Sequence, residues 1–307
     1  MFTEELIAVS RQPRVELFVA LSAGPSHRTV LVIHGGPDWD HTYLREPLSK
    51  LAGTHRLVMP DLRGCGRSTR GLSDEQYTPD TAVDDLIVLM DTIGVDRTDV
   101  LGFSYGGLLA QRLALAAPHR VRRLILASTT VEAVPADAFD DWPDARERRA
   151  AGARVWSNPH LAGPELTRAA AVASAPANLW RHEMLPAYLR RLESVRFSAE
   201  WLRPLRAGIL PHALLEDAVP RLTALAIPTL FLHGRYDMTF PARSVRRAAD
   251  TIPSADAEIL QAAGHMAHVD QPDAWLAAVS RFLDSTPGSS CDEGIHHQVQ
   301  AEPPGCD

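Results

Sequence analysis

Long apolar runs are missing from this chain of 307 residues. No stretch approaches the ~20 consecutive apolar residues that a membrane-spanning helix needs. Residues 1–11 carry Glu4 and Glu5 and no apolar run, which is unlike a signal peptide or a membrane anchor. We therefore expect a cytoplasmic protein without a membrane partner.

Clustered cysteines and clustered basic residues are missing too. None of the three cysteines, Cys65, Cys291 and Cys306, shows the C-x-x-C spacing of a metal or redox site, although a Cys291–Cys306 disulfide is compatible with the sequence. The net charge is −7, and four acids beyond residue 285 supply more than half of this excess of negative charge. No basic stripe indicates a nucleic-acid partner. We expect no metal and no cofactor, and the oligomeric state stays open.

The arrangement of apolar residues indicates an α/β protein. Hydrophobic residues make up 45% of the chain, enough for a sizeable core. Apolar runs of strand length alternate with segments of helical periodicity, which predicts a mostly parallel sheet with crossover helices. The predicted strands are residues 5–9, 15–21, 30–34, 56–59, 99–102, 124–127, 228–233 and 257–260, the first two antiparallel. The predicted helices are residues 43–51, 78–93, 108–117, 242–251 and 274–284.

The alternation stops between residues 131 and 219. This segment has helical patterns only, interrupted by prolines, and four of the six tryptophans of the chain lie in it. We interpret residues 1–130 and 220–285 as the core and residues 131–219 as an inserted, all-helical cap. Residues 286–307 are polar and aperiodic, which predicts a disordered tail.

Residues 102–107 read GFSYGG and match the pattern G-x-S-x-G. The pattern lies between a predicted strand and a predicted helix, where it forms a sharp turn that exposes the serine hydroxyl above the sheet. Side chains at Gly102 or Gly106 would collide with neighbouring backbone in such a turn. We predict that Ser104 is a nucleophile, with the N-terminus of the following helix directed at the developing oxyanion.

A nucleophilic serine needs a general base, and His265 is the strongest of thirteen histidines. It follows the last predicted strand, on a loop at the carboxyl edge of the sheet where Ser104 also lies. His268 is the rival base, and we interpret it as a loop histidine that lines the site or packs on it.

The histidine in turn needs a carboxylate to fix its tautomer. Asp237 directly follows the buried run at residues 228–233, so it should lie beside the histidine loop. Glu132, just past the run at residues 124–127, is the alternative acid. The chain order Ser104, Asp237, His265 is that of α/β-hydrolases.

The segment HGGP at residues 34–37 supplies a loop for the oxyanion. A strand that ends in Gly-Gly lets a backbone N–H face the cavity, so we predict an oxyanion hole formed by the amides of Gly36 and Tyr105. We interpret His34 as a buried histidine that bonds to backbone and holds this loop.

Together these motifs resemble the α/β-hydrolase fold superfamily, and more narrowly its proline iminopeptidase-like branch. The resemblance covers residues 5–284 apart from the cap, and it implies an eight-stranded, mostly parallel sheet flanked by helices. Two positions depart from the branch pattern: Asp38 replaces the last glycine of H-G-G-P-G, and Leu62 replaces the glutamine of D-Q-R-G. The W-x-x-W-E element that recognises a free amino terminus in this branch is absent, and the segment beginning at Trp180 is the nearest to it.

These residues predict an acyl-transfer hydrolase. The substrate would be an ester, amide, thioester or lactone of a medium-sized, partly apolar small molecule held between cap and sheet, with Trp39, Phe103 and Trp180 as binding residues. Aminopeptidase-like activity stays open. A serine at position 104 argues against epoxide hydrolases and haloalkane dehalogenases, which carry aspartate there. The alternative is a non-catalytic ligand-binding or receptor protein of the same fold.

Overall fold

The computed structural model describes residues 1–140 and 142–285, without the side chain of Pro143. Its strands are β1 Phe2–Arg11, β2 Arg14–Ser22, β3 Thr29–Ile33, β4 Arg56–Pro60, β5 Thr98–Phe103, β6 Val121–Ala127, β7 Thr229–Gly234 and β8 Ala255–Leu260. Its helices are α1 Arg45–Leu48, α2 Pro79–Thr92, α3 Tyr105–Ala116, α4 Pro143–Trp156, α5 Gly163–Asn178, α6 Leu185–Ser194, α7 Leu202–Arg206, α8 Ala218–Leu225, α9 Ala242–Thr251, α10 Ala267–Asp270 and α11 Pro272–Asp284.

The eight strands form one sheet in the order β1-β2-β4-β3-β5-β6-β7-β8. β2 pairs antiparallel with β1 and with β4, and every other pair is parallel. The predicted fold class, an eight-stranded and mostly parallel sheet flanked by helices, is therefore confirmed. Successive residues of β3 point to opposite faces, so that Val30 and Val32 pack in one core cluster and Leu31 and Ile33 in the other.

The segment predicted as one helix, residues 43–51, is broken. It consists of the 3₁₀ turns Thr42–Leu44 and Ser49–Leu51 on either side of α1, in which Glu46 has the extended angles φ −104° and ψ 126°. The break follows from Pro47, because the residue before a proline is sterically kept out of the helical region.

Between β6 and β7 the described elements are all helical, α4 to α8. This is the segment that the sequence predicts as a cap. Among the described residues, no helix is long and apolar enough to cross a bilayer. The predicted tail at residues 286–307, with Cys291 and Cys306, lies outside the described residues.

Candidate active site

Ser104 lies on a tight turn between β5 and α3. Its φ of 53° and ψ of −118° place it in a region that L-residues rarely occupy, and its N–H donates to Ala127 O at 2.9 Å. A Cβ added at Gly102 would lie 2.4 Å from Gly106 O, and one added at Gly106 would lie 2.2 Å from Ile33 O. Only glycines fit at both positions, and the turn lifts the serine hydroxyl off the sheet.

Ser104, His265 and Asp237 form a continuous hydrogen-bonded chain. His265 Nε2 is 3.1 Å from Ser104 Oγ, and His265 Nδ1 is 2.9 Å from Asp237 Oδ2. The histidine and the aspartate are buried, whereas the serine is partly open. The three loops that follow β5, β7 and β8 bring these side chains together at the carboxyl edge of the sheet.

Three groups contact the Asp237 carboxylate in addition to the His265 imidazole. Oδ1 accepts the backbone N–H groups of Thr239 at 2.7 Å and Phe240 at 2.9 Å, and the His233 imidazole lies 3.3 Å from Oδ2. Burial alone would raise the pKa of Asp237, but the imidazoles of His265 and His233 hold the pKa below its ordinary value. The carboxylate is thus ionised and oriented toward His265.

The rival residues His268 and Glu132 do not take part in this hydrogen-bonded chain. His268 is fully buried, its ring packs against Phe103 and Tyr43, and burial lowers its pKa well below the ordinary value. Neither ring nitrogen has a hydrogen-bond partner within the described chain. Glu132 forms an ion pair with Arg247 instead of contacting a histidine.

The HGGP loop runs beside the serine. Gly36 has a φ of 120°, and the Gly35 N–H donates to the Tyr43 hydroxyl at 2.8 Å, which fixes the loop. Tyr105 is the first residue of α3, so its N–H has no acceptor within the helix. Gly36 and Ser104 line the same cavity.

The His34 side chain holds this loop through two hydrogen bonds to backbone groups. Its Nε2 accepts the Leu62 N–H at 3.0 Å, so Nδ1 carries the proton and donates to Gly35 O at 2.7 Å. Burial lowers the pKa of His34, in keeping with a neutral ring. Leu62, which stands where the branch has glutamine, contributes this backbone N–H and a side chain buried in the core.

Asp38 makes long-range contacts that the sequence did not reveal. Its carboxylate accepts the Ser198 hydroxyl at 2.8 Å and the N–H groups of Trp201 at 3.1 Å and Leu202 at 2.9 Å. Its own carbonyl accepts the Ser198 N–H at 2.9 Å. The oxyanion loop is therefore tied to the segment between α6 and α7, 160 residues along the chain. The departure from H-G-G-P-G is the one signal that pointed to Asp38.

Asp270 makes the corresponding contact for the histidine loop. Its carboxylate accepts the N–H groups of Gly264 at 2.7 Å, and of Trp180 and Arg181 at 2.9 Å each. The Met266 N–H also donates to the carbonyl of Asn178 at the end of α5, at 2.8 Å. Met266 and Asp270, both after His265, thus bond the histidine loop to the segment at residues 178–181, and Asp270 also holds Gly264 on the other side of His265. No sequence motif singled out Asp270 beforehand.

Ser104 opens into a cavity of about 200 Å³, here called the catalytic cavity. Its described lining holds no Asp, Glu, Lys or Arg side chain, and consists of Gly36, Trp39, Tyr43, Phe103, Ser104, Trp156, Thr167, Ala170, Ala171, Ser174, Asn178, Thr239, His265 and Met266. Trp39 and Phe103 thus line this cavity, and their contact with a substrate stays a prediction. Trp180 does not line it, because its ring stacks on Tyr236 at 3.6 Å between centroids, outside the cavity.

A larger cavity of about 560 Å³, the outer cavity, lies between α4, α5 and the loop after β7. Four residues, Trp156, Ser174, Asn178 and Thr239, line both cavities, so the two are adjoining. Among the residues that the structure describes, no group of His, Cys, Asp and Glu side chains has the arrangement of a metal site.

Comparisons with known proteins agree with this geometry at the level of the fold. A 2-hydroxymuconate semialdehyde hydrolase of Pseudomonas sp. (strain CF600) is 31% identical over 265 residues, 83% of this chain and 86% of that protein. A proline iminopeptidase of Heyndrickxia coagulans is 24% identical over 276 residues, 83% of this chain and 90% of that protein. Membership of the proline iminopeptidase-like branch stays a prediction. The solved meta-cleavage product hydrolase of Pseudomonas fluorescens superposes with a TM-score of 0.71 at 21% identity, over 92% of this chain and 97% of that one. The sequence profile described as alpha/beta hydrolase fold matches residues 28–272, and the chain belongs to that family.

Proposed function

We propose that this protein is a serine hydrolase that cleaves an acyl bond through an acyl-enzyme. The observation that carries the proposal is the chain of contacts at 3.1 Å and 2.9 Å from Ser104 through His265 to Asp237, beside a cavity. A serine hydroxyl becomes nucleophilic when a positioned base can take its proton.

In the first half-reaction Ser104 Oγ attacks the scissile carbonyl carbon while its proton passes to His265 Nε2. The carbonyl oxygen becomes an oxyanion, which accepts hydrogen bonds from the N–H groups of Gly36 and Tyr105. One such donor contributes about 3 kcal/mol of transition-state stabilisation. Asp237 stays ionised and stabilises the imidazolium that forms.

The tetrahedral intermediate then collapses. The bond to the leaving group breaks as that group takes the proton from His265 Nε2, and the acyl group stays as an ester on Ser104. In the second half-reaction His265 removes a proton from water, whose oxygen attacks the ester carbonyl. Collapse returns the proton to Ser104 Oγ and releases the carboxylic acid.

The substrate class is an ester, amide, thioester or lactone of a small molecule. The relatives are named for hydrolysis of a semialdehyde and for iminopeptidase activity, which supports hydrolysis without singling out one substrate. The relatives carry the names of enzymes, a hydrolase and a peptidase, which favours an enzyme over a receptor of the same fold.

The test uses the purified chain, p-nitrophenyl butyrate and a fluorophosphonate probe, which reacts only with an activated serine. We expect hydrolysis and stoichiometric labelling of the unmodified protein, and neither in Ser104→Ala. Ser194→Ala is the matched control, since Ser194 is exposed and donates to Arg191 O away from the cavity. Hydrolysis by Ser104→Ala would refute the mechanism, and an unreactive unmodified protein would favour the binding-protein alternative.

A further inference from the structure

The catalytic cavity differs from the outer cavity in its charge. None of the described side chains that line the catalytic cavity is an acid, a lysine or an arginine, and His265 is committed to Ser104 and Asp237. The outer cavity is lined in part by Arg146, Arg149 and Asp140. A substrate group therefore meets an uncharged environment at the nucleophile and a charged one beyond the junction of the cavities.

The sequence of α5 explains this separation. Ala170 and Ala171 precede Ser174 by four and three positions, which places all three on one face of the helix, and they line the catalytic cavity. The charged residues of the same helix, Glu165 and Arg168, are exposed on other faces. The cap thus presents small, uncharged side chains to the nucleophile.

The size of the catalytic cavity limits what it can hold. Its volume of about 200 Å³ is below the range of about 300–1,000 Å³ that is typical of cavities for whole ligands. The outer cavity, with about 560 Å³, falls within that range and adjoins it at Trp156, Ser174, Asn178 and Thr239. A medium-sized substrate must extend across both cavities, with one part at Ser104 and the larger part outside.

An ion buried without a partner loses its hydration and gains nothing in return. A carboxylate or an ammonium close to the scissile carbonyl would leave part of its hydration and find no partner of opposite charge among the described side chains that line the catalytic cavity. We infer that the catalytic cavity takes an uncharged acyl group, and that any charge on the substrate lies in the outer cavity. This inference rests on the proposed hydrolase function and selects neutral esters, amides, thioesters or lactones as substrates. Recognition of a free ammonium next to the scissile bond, as in an aminopeptidase, is excluded by it.

The first test compares isosteric p-nitrophenyl esters on the unmodified protein. Trimethylammoniobutanoate is paired with its tert-butyl analogue, and sulfopropanoate with its methylsulfonyl analogue, so that shape is kept while the charge is removed. Each kcat/KM is divided by the hydroxide rate constant of the same ester, which corrects for intrinsic reactivity. We expect each uncharged member to exceed its charged partner by at least about 100-fold, because the ion enters without a partner. Ratios below about threefold for either pair would overturn the inference.

The second test places a charge in the cavity. Ser174 is half-buried and lines both cavities, so Ser174→Asp adds a carboxylate there and Ser174→Asn is its uncharged control of the same size. We expect Ser174→Asp to shift the cationic-to-neutral ratio toward the cation by about tenfold relative to Ser174→Asn. An equal ratio in the two folded variants would contradict an uncharged cavity. Thr239→Asp against Thr239→Asn repeats the comparison from the exposed side of the junction if Ser174→Asp does not fold.

Failure of this inference is distinguishable from failure of the proposed function. If the unmodified protein hydrolyses no ester and Ser104 is not labelled by the fluorophosphonate, the hydrolase proposal itself is wrong. If Ser104 is labelled and charged and uncharged esters react alike, the protein is a hydrolase with a different selectivity.

Discussion

Replacing Asp38 by glycine, the residue that the related H-G-G-P-G pattern carries, tests whether the oxyanion loop is held by the cap. The substitution removes a carboxylate that accepts the Ser198 hydroxyl and the N–H groups of Trp201 and Leu202. All three donors lie in residues 198–202, at the entry to α7, and they would lose their acceptor in a buried position. Gly36, two residues before Asp38, would lose its anchor to that segment.

The expected cost follows from these contacts. A buried donor left without an acceptor costs about 1–3 kcal/mol, and three donors are affected. Asp38 has a φ of 69°, so glycine relieves about 1 kcal/mol of backbone strain. Burial also raises the pKa of Asp38, which means that desolvation of the carboxylate already offsets part of what its bonds contribute. We expect a net loss of about 3 kcal/mol in the free energy of unfolding, or about 6–12 °C in Tm.

The assay combines thermal unfolding with ester hydrolysis at a temperature where both proteins are folded. We expect kcat to fall by about 100-fold, as when one oxyanion donor is misplaced. Asp217→Gly is the matched control: Asp217 also has a left-handed backbone, with φ 51°, but is exposed and makes no side-chain cap bond. It should keep its activity, and its Tm should rise by about 2–4 °C, because glycine relieves about 1 kcal/mol of the same backbone strain without removing a buried acceptor. An Asp38→Gly variant as stable and active as the unmodified protein would refute the reasoning, as would an equal loss in Asp217→Gly.

Three further predictions concern the core of the site. His265→Ala should lower kcat by about a millionfold, as expected when the general base of a triad is removed. His268→Leu should keep kcat/KM within about tenfold, because its ring donates and accepts nothing in the described chain. The reverse order in the ester assay would exchange their roles. Asp237→Asn should destabilise the protein above pH ~4 and progressively less below it. The folded-state pKa of this acid is lowered, so its ionised form stabilises the fold above the unfolded pKa of about 3.9 and that contribution is lost as the pH falls through the folded value. Urea unfolding at several pH values measures the difference, and a pH-independent difference contradicts the assignment. Gly106→Ala should lower the free energy of unfolding by at least about 3 kcal/mol in the same urea assay, since its Cβ would lie 2.2 Å from a backbone oxygen of β3. An unchanged free energy of unfolding would mean that the backbone of the turn moves to accept the methyl group.

The residues that could be predicted from the sequence share one property. Ser104, Asp237 and His265 each follow a buried apolar run, and the carboxyl ends of parallel strands meet at one edge of a sheet. Their approach to one another therefore follows from the fold class alone. The eight strands could be predicted for a different reason: each is a short apolar run, a signal that is local in the sequence.

The residues that could not be predicted act across long separations or through local geometry. Asp38 looked like a departure from a motif, since its partners lie 160 residues away on the cap. Glu46 interrupts a segment of helical pattern because of the proline after it, an effect that periodicity does not register. Trp180 was expected to contact substrate because it is a large aromatic residue of the cap, but Tyr236 offers its ring a stacking partner outside the catalytic cavity.

The helical segment between β6 and β7, which the sequence predicts as a cap, is bonded to the loops on either side of Ser104. Asp38 joins the oxyanion loop to the entry to α7, and Asp270 joins the histidine loop to the segment after α5. Since α5 also lines the catalytic cavity, the element that selects the substrate is attached to the loop that carries the base. A change in the cap that displaces α5 must then move His265 relative to Ser104, so substitutions there should alter kcat as well as KM.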